Sequence, residues 1–320
     1  MGWFIDEYDI AQVSINVTKY RETPLHEIYD AAVDVSSDFG VRITGSELVG
    51  LIPLDAQRSA GEHYLTKQEL LTGVSEKELL HIAILSLGLD QLSSFDPEEK
   101  VIEYRIKKPG ILTSMKITDF VDELASDSPA PGGGSTAALC GALSTALSSM
   151  VAHLTYDKKG YRKYNDEMKE IASTAQRLKE NLLSLVDKDT EAFNSVMAAF
   201  SLPKKTDEEI EVRDKAINDA TFFAAEIPFQ VLSMMPQSAT LAKKAAEFGN
   251  VNLTPDAGVA GLTAALCARG AAYNVIVNLQ NLPKDQKSQK LKEDTERILN
   301  ETDQIAGEVR EIVERRLWEK

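Results

Sequence analysis

The chain has 320 residues, a length that predicts two domains rather than one. Its formal net charge of −15 argues against nucleic acid or an anionic membrane surface as a partner. We find no run of about 18 uninterrupted apolar residues, so the sequence predicts no membrane span. Residues 1–5 lead directly into acidic residues without a basic start, which is unlike a signal peptide.

The two cysteines, Cys140 and Cys267, both lie in alanine-rich helical runs. Cysteines in such a context are usually buried and reduced, which predicts a cytoplasmic protein. The four histidines are not grouped with cysteines at a metal-ligand spacing. The sequence therefore predicts no metal site.

Residues 1–106 mix strand and helix patterns. Residues 11–17 alternate apolar and polar side chains as a half-buried strand does, and a Thr-Pro pair then opens a helix. A β-branched segment at 41–44 and residues 101–106 are typical of strands, and Ser75 with Glu78 forms a capping box ahead of another helix. We expect a small α/β subdomain of ferredoxin-like type, with one sheet covered by helices on one face.

Residues 107–115 form a linker by composition, and residues 116–320 carry six or seven helical patterns without strand alternation. Segments 137–147 and 257–277 are small and apolar on nearly every side, as expected of helices at the centre of a bundle. The sequence predicts an α+β chain in which a small α/β subdomain precedes an all-α helical bundle domain.

One acidic residue interrupts the apolar stripe of a long helix. Asp189 stands where a leucine is expected, in register with Ile171, Ala175, Leu178, Leu182, Leu185, Ala192, Phe193 and Val196. Burial of an unpaired carboxylate costs several kcal/mol. Asp189 is therefore either a buried ion pair or cap for a neighbouring helix, or a general acid/base whose pKa is raised by desolvation.

A proline- and glycine-rich turn, residues 128–136, precedes the first small-residue helix. Its three glycines are Gly132, Gly133 and Gly134. They allow positive φ angles, and Ser135 or Thr136 can cap the helix. The N–H groups at this helix start can bind a carboxylate or phosphate, although a close-packed interhelical turn needs the same residues. No GxxxxGK[ST] pattern is present, so a nucleotide ligand is not expected.

Polar residues also accompany the second small-residue helix. Asp256 precedes its alanine-rich run and is expected to be the N-cap, with Asn250 shortly before it. Asn274 and Asn278 lie one turn apart inside the helix, so they either join helices or bind the polar edge of a ligand.

The basic cluster at residues 158–163 begins with Lys158 and Lys159. It is either solvated loop charge or a local site for an anionic molecule, since an acidic net charge does not exclude a small anion.

Three segments of the second half resemble the cyclodeaminase domain of the formimidoyltransferase-cyclodeaminase family. They are PAPGGGS at 129–135, LVDKDTEAF at 185–193 and YNVIVNL at 273–279. Three segments of the first half look like the C-terminal subdomain of the same family's transferase part. They are AQVSIN at 11–16, GSELVGLIPL at 45–54 and VIEY at 101–104. The order of all six agrees with the family.

The resemblance implies an ammonia lyase that converts 5-formiminotetrahydrofolate to 5,10-methenyltetrahydrofolate and ammonia without a bound cofactor. The family's catalytic aspartate matches Asp189. The resemblance further implies a homodimer or larger homo-oligomer. We expect the folate, including polyglutamylated forms, to be bound by Gly132, Gly133, Gly134, Ser135, Asn250, Asp256, Asn274, Lys158 and Lys159.

The family's transferase has two subdomains, with its catalytic histidine in the N-terminal one. The resemblance does not extend to that subdomain, so we expect it to be absent and expect no transferase activity from this chain alone. Three alternatives to the cyclodeaminase stay open: a methenyltetrahydrofolate cyclohydrolase, a subunit of a split transferase, and an inert scaffold.

Overall fold

The computed structural model describes residues 2–6, 9–106 and 109–318. The chain divides into two compact units, Met1–Lys108 and Pro109–Lys320. The first two residues of the predicted linker, 107 and 108, lie outside the described residues, as do residues 319 and 320 at the end of the predicted helical domain.

Helices form most of the regular secondary structure of the first unit. Its elements are β1 Gly2–Ile5, β2 Ile10–Val13, α1 Leu25–Asp38, α2 Leu54–Lys67, α3 Glu76–Leu87, α4 Pro97–Lys100 and α5 Ile102–Ile106. The two strands form an antiparallel hairpin, with Gly2 opposite Val13 and Ile5 opposite Ile10. As predicted, α1 starts after the Thr-Pro pair. The Ser75 hydroxyl accepts from the Glu78 N–H at the start of α3, which is one of the two bonds of the predicted capping box.

The sequence overestimates the strands of this unit. The strand predicted at 11–17 ends at Val13, and residues 41–44 belong to no strand. Residues 102–106, predicted to be a strand, form helix α5, while Val101 makes a single parallel bridge to Ile52. A two-stranded hairpin does not confirm the ferredoxin-like prediction.

Hydrogen bonds to distant helices accompany the helical form of α5. The Glu103 carboxylate accepts from the Leu54 N–H at the start of α2, and the Tyr104 hydroxyl donates to Glu76 at the start of α3. Helix N-termini expose N–H groups that need acceptors. These long-range contacts are invisible in the local alternation of the sequence.

The second unit is built of helices, as predicted. They are α6 Ile117–Leu124, α7 Gly133–Thr155, α8 Asn165–Phe200, α9 Asp207–Ser233, α10 Met235–Phe248, α11 Thr254–Leu279 and α12 Gln286–Trp318. The two small-residue helices, α7 and α11, pack against each other, and α7 also packs along α8.

Small side chains allow these helices to approach closely. A Cβ at Gly141 of α7 would lie 2.9 Å from Cys267 Sγ of α11, and one at Gly261 would lie 2.7 Å from a methyl carbon of Val309. The buried Ser144 hydroxyl donates to the Ala260 carbonyl, which links α7 to α11. Close packing of this kind explains why alanine, glycine and serine dominate both helices.

Two helical segments, Gly133–Thr155 and Val251–Leu279, are long and apolar enough to cross a membrane by length and composition. Within the folded chain, 56% and 44% of their most apolar windows are buried. A packed core helix meets the same criterion, and only the first segment is mostly covered. The second therefore exposes an apolar face.

Candidate functional site

Asp189 of α8 meets the N-terminus of α7. Its Oδ2 accepts from the backbone N–H of Ser135 at 2.8 Å and lies 3.1 Å from the Ser135 hydroxyl. Ser135 is the third residue of α7, so its N–H is one of the donors that a helix start leaves without an intrahelical partner. Asp189 thus caps a neighbouring helix, which was one of its two predicted interpretations. Both bonds use Oδ2.

The glycine turn serves close approach rather than unusual backbone angles. Gly132 is the N-cap with an extended backbone, and none of the three glycines has a positive φ, contrary to the prediction. A Cβ at Gly134 would overlap Asp189 Oδ1 and lie 2.6 Å from Oδ2. Gly133 faces Asn274, whose Nδ2 would be 3.4 Å from a Cβ there. Asp189 Oδ1 therefore lies beside a bare backbone surface.

Ser135 differs from its predicted role. It was expected to contact the ligand, but it is fully buried, and its hydroxyl lies 2.8 Å from the Val186 carbonyl oxygen as well as near Asp189. Nor does Ser135 or Thr136 supply the N-cap, because α7 begins one turn earlier than that prediction requires. The Thr136 hydroxyl instead donates to the Gly132 carbonyl.

Opposing effects act on the Asp189 carboxylate. Burial raises its pKa, whereas the hydroxyl and backbone N–H of Ser135 lower it by stabilising the charged form. The effect of burial is larger, so the pKa lies above the ordinary aspartate value of 3.8. A carboxylate in this position can hold a proton more readily than one in water, which suits an acid/base.

The two asparagines of α11 have different partners. Asn278 Nδ2 donates to the Ala224 carbonyl of α9 at 2.9 Å, so this residue joins two helices. Asn274 donates to the Gly270 carbonyl of its own helix and stands opposite Gly133. Of the two, only Asn274 lies at the glycine turn.

The remaining predicted ligand residues lie at the other end of α7. Asn250 donates its N–H to Thr155, the last residue of α7, and its side chain caps a short 3-10 turn. Lys158 and Lys159 follow the same end and are exposed. A 23-residue helix spans about 35 Å, so these residues do not share one small site with Asp189. Their predicted role as polyglutamate contacts stays a prediction.

Asp256 is not the N-cap that the sequence suggests. Helix α11 begins at Thr254, which puts Asp256 in its first turn, where a carboxylate interacts favourably with the helix dipole.

Asp187 has a structural role that sequence reasoning missed. Its carboxylate accepts from the N–H of Leu112 at 2.7 Å and from the Thr113 hydroxyl at 2.6 Å. A Cβ at Gly110 would overlap this carboxylate. Part of the predicted linker is therefore fastened to α8. Asp187 and Asp189 are two carboxylates of one helix, but only Asp189 faces the glycine turn.

The helical bundle is similar in structure to a known class of folate enzyme. The chain superposes on the crystal structure of formiminotetrahydrofolate cyclodeaminase from Thermotoga maritima with a TM-score of 0.57 and 30% identity. The match covers 64% of this chain and 98% of that one. The family profile described as formiminotransferase-cyclodeaminase matches residues 116–297. The chain belongs to the formiminotransferase-cyclodeaminase family.

Full-length relatives support the same family. The chain is 33% identical to formimidoyltransferase-cyclodeaminase of Rattus norvegicus, over 94% of this chain and 56% of the relative. It is 42% identical to methenyltetrahydrofolate cyclohydrolase of Methylorubrum extorquens, over 52% of this chain and 80% of the relative. The chain thus spans little more than half the length of the formimidoyltransferase-cyclodeaminase from rat. These names are those of enzymes that act on folate one-carbon units.

The N-terminal unit also has a match, and it corrects a prediction. The profile described as formiminotransferase domain matches residues 1–107. This match does not support the expectation that the chain lacks the N-terminal transferase subdomain. It likewise removes the ground for expecting no transferase activity.

Proposed function

We propose that the helical unit is a formiminotetrahydrofolate cyclodeaminase, an ammonia lyase, and that Asp189 is its general acid/base. The observation that carries the proposal is the arrangement of the Asp189 carboxylate. One oxygen is held by the start of α7, and the other lies beside the glycines. The matches to this family and to the Thermotoga maritima cyclodeaminase support the same activity.

The reaction needs one group that first accepts and then donates a proton. N10 of the folate attacks the amidinium carbon attached to N5, which closes the five-membered ring and leaves N10 with a proton to lose. Ionised Asp189 removes this proton on Oδ1 and becomes neutral. It then gives the proton to the amino nitrogen on the same carbon, and the C–N bond breaks to release ammonia and the methenyl cation. Asp189 is ionised again at the end.

Charge complementarity favours a carboxylate here. The formiminium substrate and the methenyl product are both cations, so a negative group beside the reacting carbon stabilises them. Burial strengthens this interaction because less water screens it. The same burial raises the pKa of Asp189, which makes the intermediate proton transfer less costly.

Two carboxylate variants of α8 test the assignment. Ammonia release and methenyl absorbance would be followed together from 5-formiminotetrahydrofolate with Asp189→Asn and Asp187→Asn. We expect the first variant to lose about 100-fold or more in kcat, because general acid–base catalysis contributes about 10²–10⁴-fold. Asp187→Asn removes a charge two residues away and serves as the control. The Asp187 carboxylate accepts from the backbone N–H groups of residues 112 and 113 and does not face the glycine turn. Equal activity of Asp189→Asn and wild type would refute the role of Asp189.

The second candidate is a methenyltetrahydrofolate cyclohydrolase, favoured by the higher identity of 42% to the Methylorubrum extorquens relative. That reaction opens the methenyl ring with water, and it also needs a proton carrier beside a folate cation. Incubation of the protein with each substrate separately distinguishes the two. Loss of methenyl absorbance from 5,10-methenyltetrahydrofolate, with no ammonia released from 5-formiminotetrahydrofolate, would favour the cyclohydrolase.

The match of residues 1–107 to the formiminotransferase domain makes formimino transfer a further candidate for the N-terminal unit. It is tested by supplying tetrahydrofolate with formiminoglutamate and measuring the release of glutamate. Glutamate release that persists in Asp189→Asn would assign the transfer to a site other than that of the helical unit.

We further propose that the helical unit forms a homodimer through α11. This helix has a fully buried face at Ala260, Ala264, Ala268, Ala271 and Val275. An apolar stripe follows the opposite side, and its side chains are between 47% and 63% exposed: Val259, Leu262, Leu266, Tyr273 and Val277. A helix that is apolar all round is normally covered on all sides. A second copy supplies the same stripe and can close the contact by two-fold symmetry.

A further inference from the structure

The buried Ser135 hydroxyl has two acceptors within reach. Its Oγ lies 3.1 Å from Asp189 Oδ2 and 2.8 Å from the carbonyl oxygen of Val186, both in α8. The Ser135 backbone N–H donates separately to Oδ2 at 2.8 Å. Ser135 is fully buried, so water does not compete for these bonds.

A serine hydroxyl carries only one proton. It can donate fully to the carboxylate or to the carbonyl, but not to both at once. Which acceptor it chooses depends on the charge of Asp189, because a hydrogen bond to an ionised group is the stronger one. When the carboxyl group is neutral, the peptide carbonyl is the better acceptor and also the nearer one.

We propose that Ser135 is a positioning residue whose hydroxyl changes acceptor each time Asp189 gains or loses its proton. The proposal rests on the acid/base function of Asp189 and deepens it. It gives Ser135 a role in the reaction without contact to the folate.

The cycle needs only a rotation about the Cβ–Oγ bond. With Asp189 ionised, the Ser135 O–H points at Oδ2 and helps to hold the charge. When Oδ1 takes the proton from N10, the Ser135 O–H turns to the Val186 carbonyl, and the Ser135 N–H keeps its bond to Oδ2. When Oδ1 gives the proton to the leaving nitrogen, the hydroxyl turns back. Ser135 itself gains and loses no proton, so each protonation state of Asp189 is satisfied without movement of the helices.

Ser144 provides a matched comparison in the same helix. It is also a fully buried serine, and its hydroxyl joins the Ser238 hydroxyl and the Ala260 carbonyl in the helical core. Removal of either hydroxyl takes one buried donor away from the helix that it contacts. The two serines differ in that only Ser135 touches the carboxylate.

The test compares Ser135→Ala and Ser144→Ala in kcat, KM and the pH dependence of kcat/KM. Loss of this donor makes ionised Asp189 less stable, so kcat/KM on the acid side of the profile should fall about 10-fold in Ser135→Ala, with little change at high pH. Loss of a donor to the charged form also raises the pKa of Asp189. The acid limb of the profile should therefore move about one pH unit upward in Ser135→Ala and stay in place in Ser144→Ala.

Ser135→Cys serves if the alanine variant does not fold, because a thiol fills nearly the same space but donates weakly. It should show the same direction of change. An acid limb that lies within about 0.3 pH unit of wild type in Ser135→Ala and Ser135→Cys would overturn the proposal.

A second readout does not depend on catalysis. Carbon NMR of aspartate-labelled protein gives the Asp189 carboxyl titration as the signal that Asp189→Asn removes. Its midpoint should lie higher in Ser135→Ala than in wild type, and it should be unchanged in Ser144→Ala. If wild type lacks cyclodeaminase activity but the midpoint shifts, the proposed reaction fails while the serine–aspartate coupling stands. An unshifted midpoint refutes the switch whatever the reaction is.

Discussion

Substitution of Gly134 by alanine tests whether the glycine turn exists to admit Asp189. In an ordinary helix this change is favourable by about 1 kcal/mol, because glycine loses more backbone entropy than alanine. At Gly134 the new Cβ would overlap Asp189 Oδ1 and lie 2.6 Å from Oδ2. The carboxylate must then leave its position, and its two bonds to Ser135 are lost or stretched.

The expected change in the free energy of unfolding combines the cost of displacing the carboxylate with the gain in helix propensity. Hydrogen bonds to a charged group contribute about 1.5–3 kcal/mol, and overpacking of a core costs about 1–3 kcal/mol. We take about 2–4 kcal/mol for the displaced carboxylate, since the two effects share one cause. After subtraction of the helix gain, Gly134→Ala should lower the free energy of unfolding by about 1–3 kcal/mol. Its kcat should fall about 100-fold or more, because Oδ1 no longer reaches the substrate.

The neighbouring glycines give a graded control. A Cβ at Gly132 meets no heavy atom within 4 Å, and one at Gly133 lies at ordinary contact distance from Asn274 Nδ2. Alanine is a poorer N-cap than glycine, so Gly132→Ala should lower the free energy of unfolding by no more than about 1 kcal/mol. Its activity should be retained. The free energy of unfolding in urea and the rate of ammonia release are measured for Gly132→Ala, Gly133→Ala and Gly134→Ala.

A double-mutant cycle isolates the cause. In an Asp189→Ala background there is no carboxylate to displace, so Gly134→Ala should become neutral or stabilising. If Gly134→Ala is as stable and active as Gly132→Ala, or if its cost persists without Asp189, the steric explanation is wrong.

Two further predictions concern pH and assembly. Because burial raises the pKa of Asp189, the folded chain binds the Asp189 proton more tightly than the unfolded chain does. The stability gained in this way is fully present at pH values below the pKa of an ordinary aspartate. It is lost as the pH rises through the pKa of Asp189 in the folded chain. Urea unfolding from about pH 4 to about pH 8 should thus show wild type losing stability relative to Asp189→Asn, and parallel curves would contradict this. The double variant Leu262→Glu/Leu266→Glu should sediment as a folded monomer instead of a dimer. Ile117→Glu, at an exposed position of α6, should leave the dimer intact. A wild-type protein that is monomeric, or that binds vesicles through this stripe, would refute the dimer.

The sequence predicts the helical unit well because its signals are local. Small residues on every side of segments 137–147 and 257–277 predict helices at the centre of a bundle. Helices α7 and α11 do pack together, but the side of α11 that carries Leu262 and Leu266 is exposed. Asp189 is conspicuous because an acid in an apolar stripe must meet something that compensates its charge. Periodicity identifies such a residue without identifying its partner.

The errors concern contacts between distant residues. The bonds of Glu103 and Tyr104 to α2 and α3 accompany a helix where β-branched composition suggests a strand. The role of Gly134 likewise depends on a carboxylate 55 residues later, so a local reading explains the glycines by backbone angles that they do not adopt. Asn250 and Lys158 look like partners of the site in sequence, yet a whole helix length separates them from it.

The role proposed for Asp189, a helix cap that is also an acid/base, is explained by the use of a single oxygen in the cap. A carboxylate that capped α7 with both oxygens would have its charge fully satisfied and would be a poor base. A carboxylate with no donor would be too costly to keep ionised away from water. Ser135 engages Oδ2 alone, while burial keeps the pKa above its ordinary value. The capping contact thus supplies enough stabilisation to maintain the charged form, and Oδ1 stays available for the proton that the reaction must move.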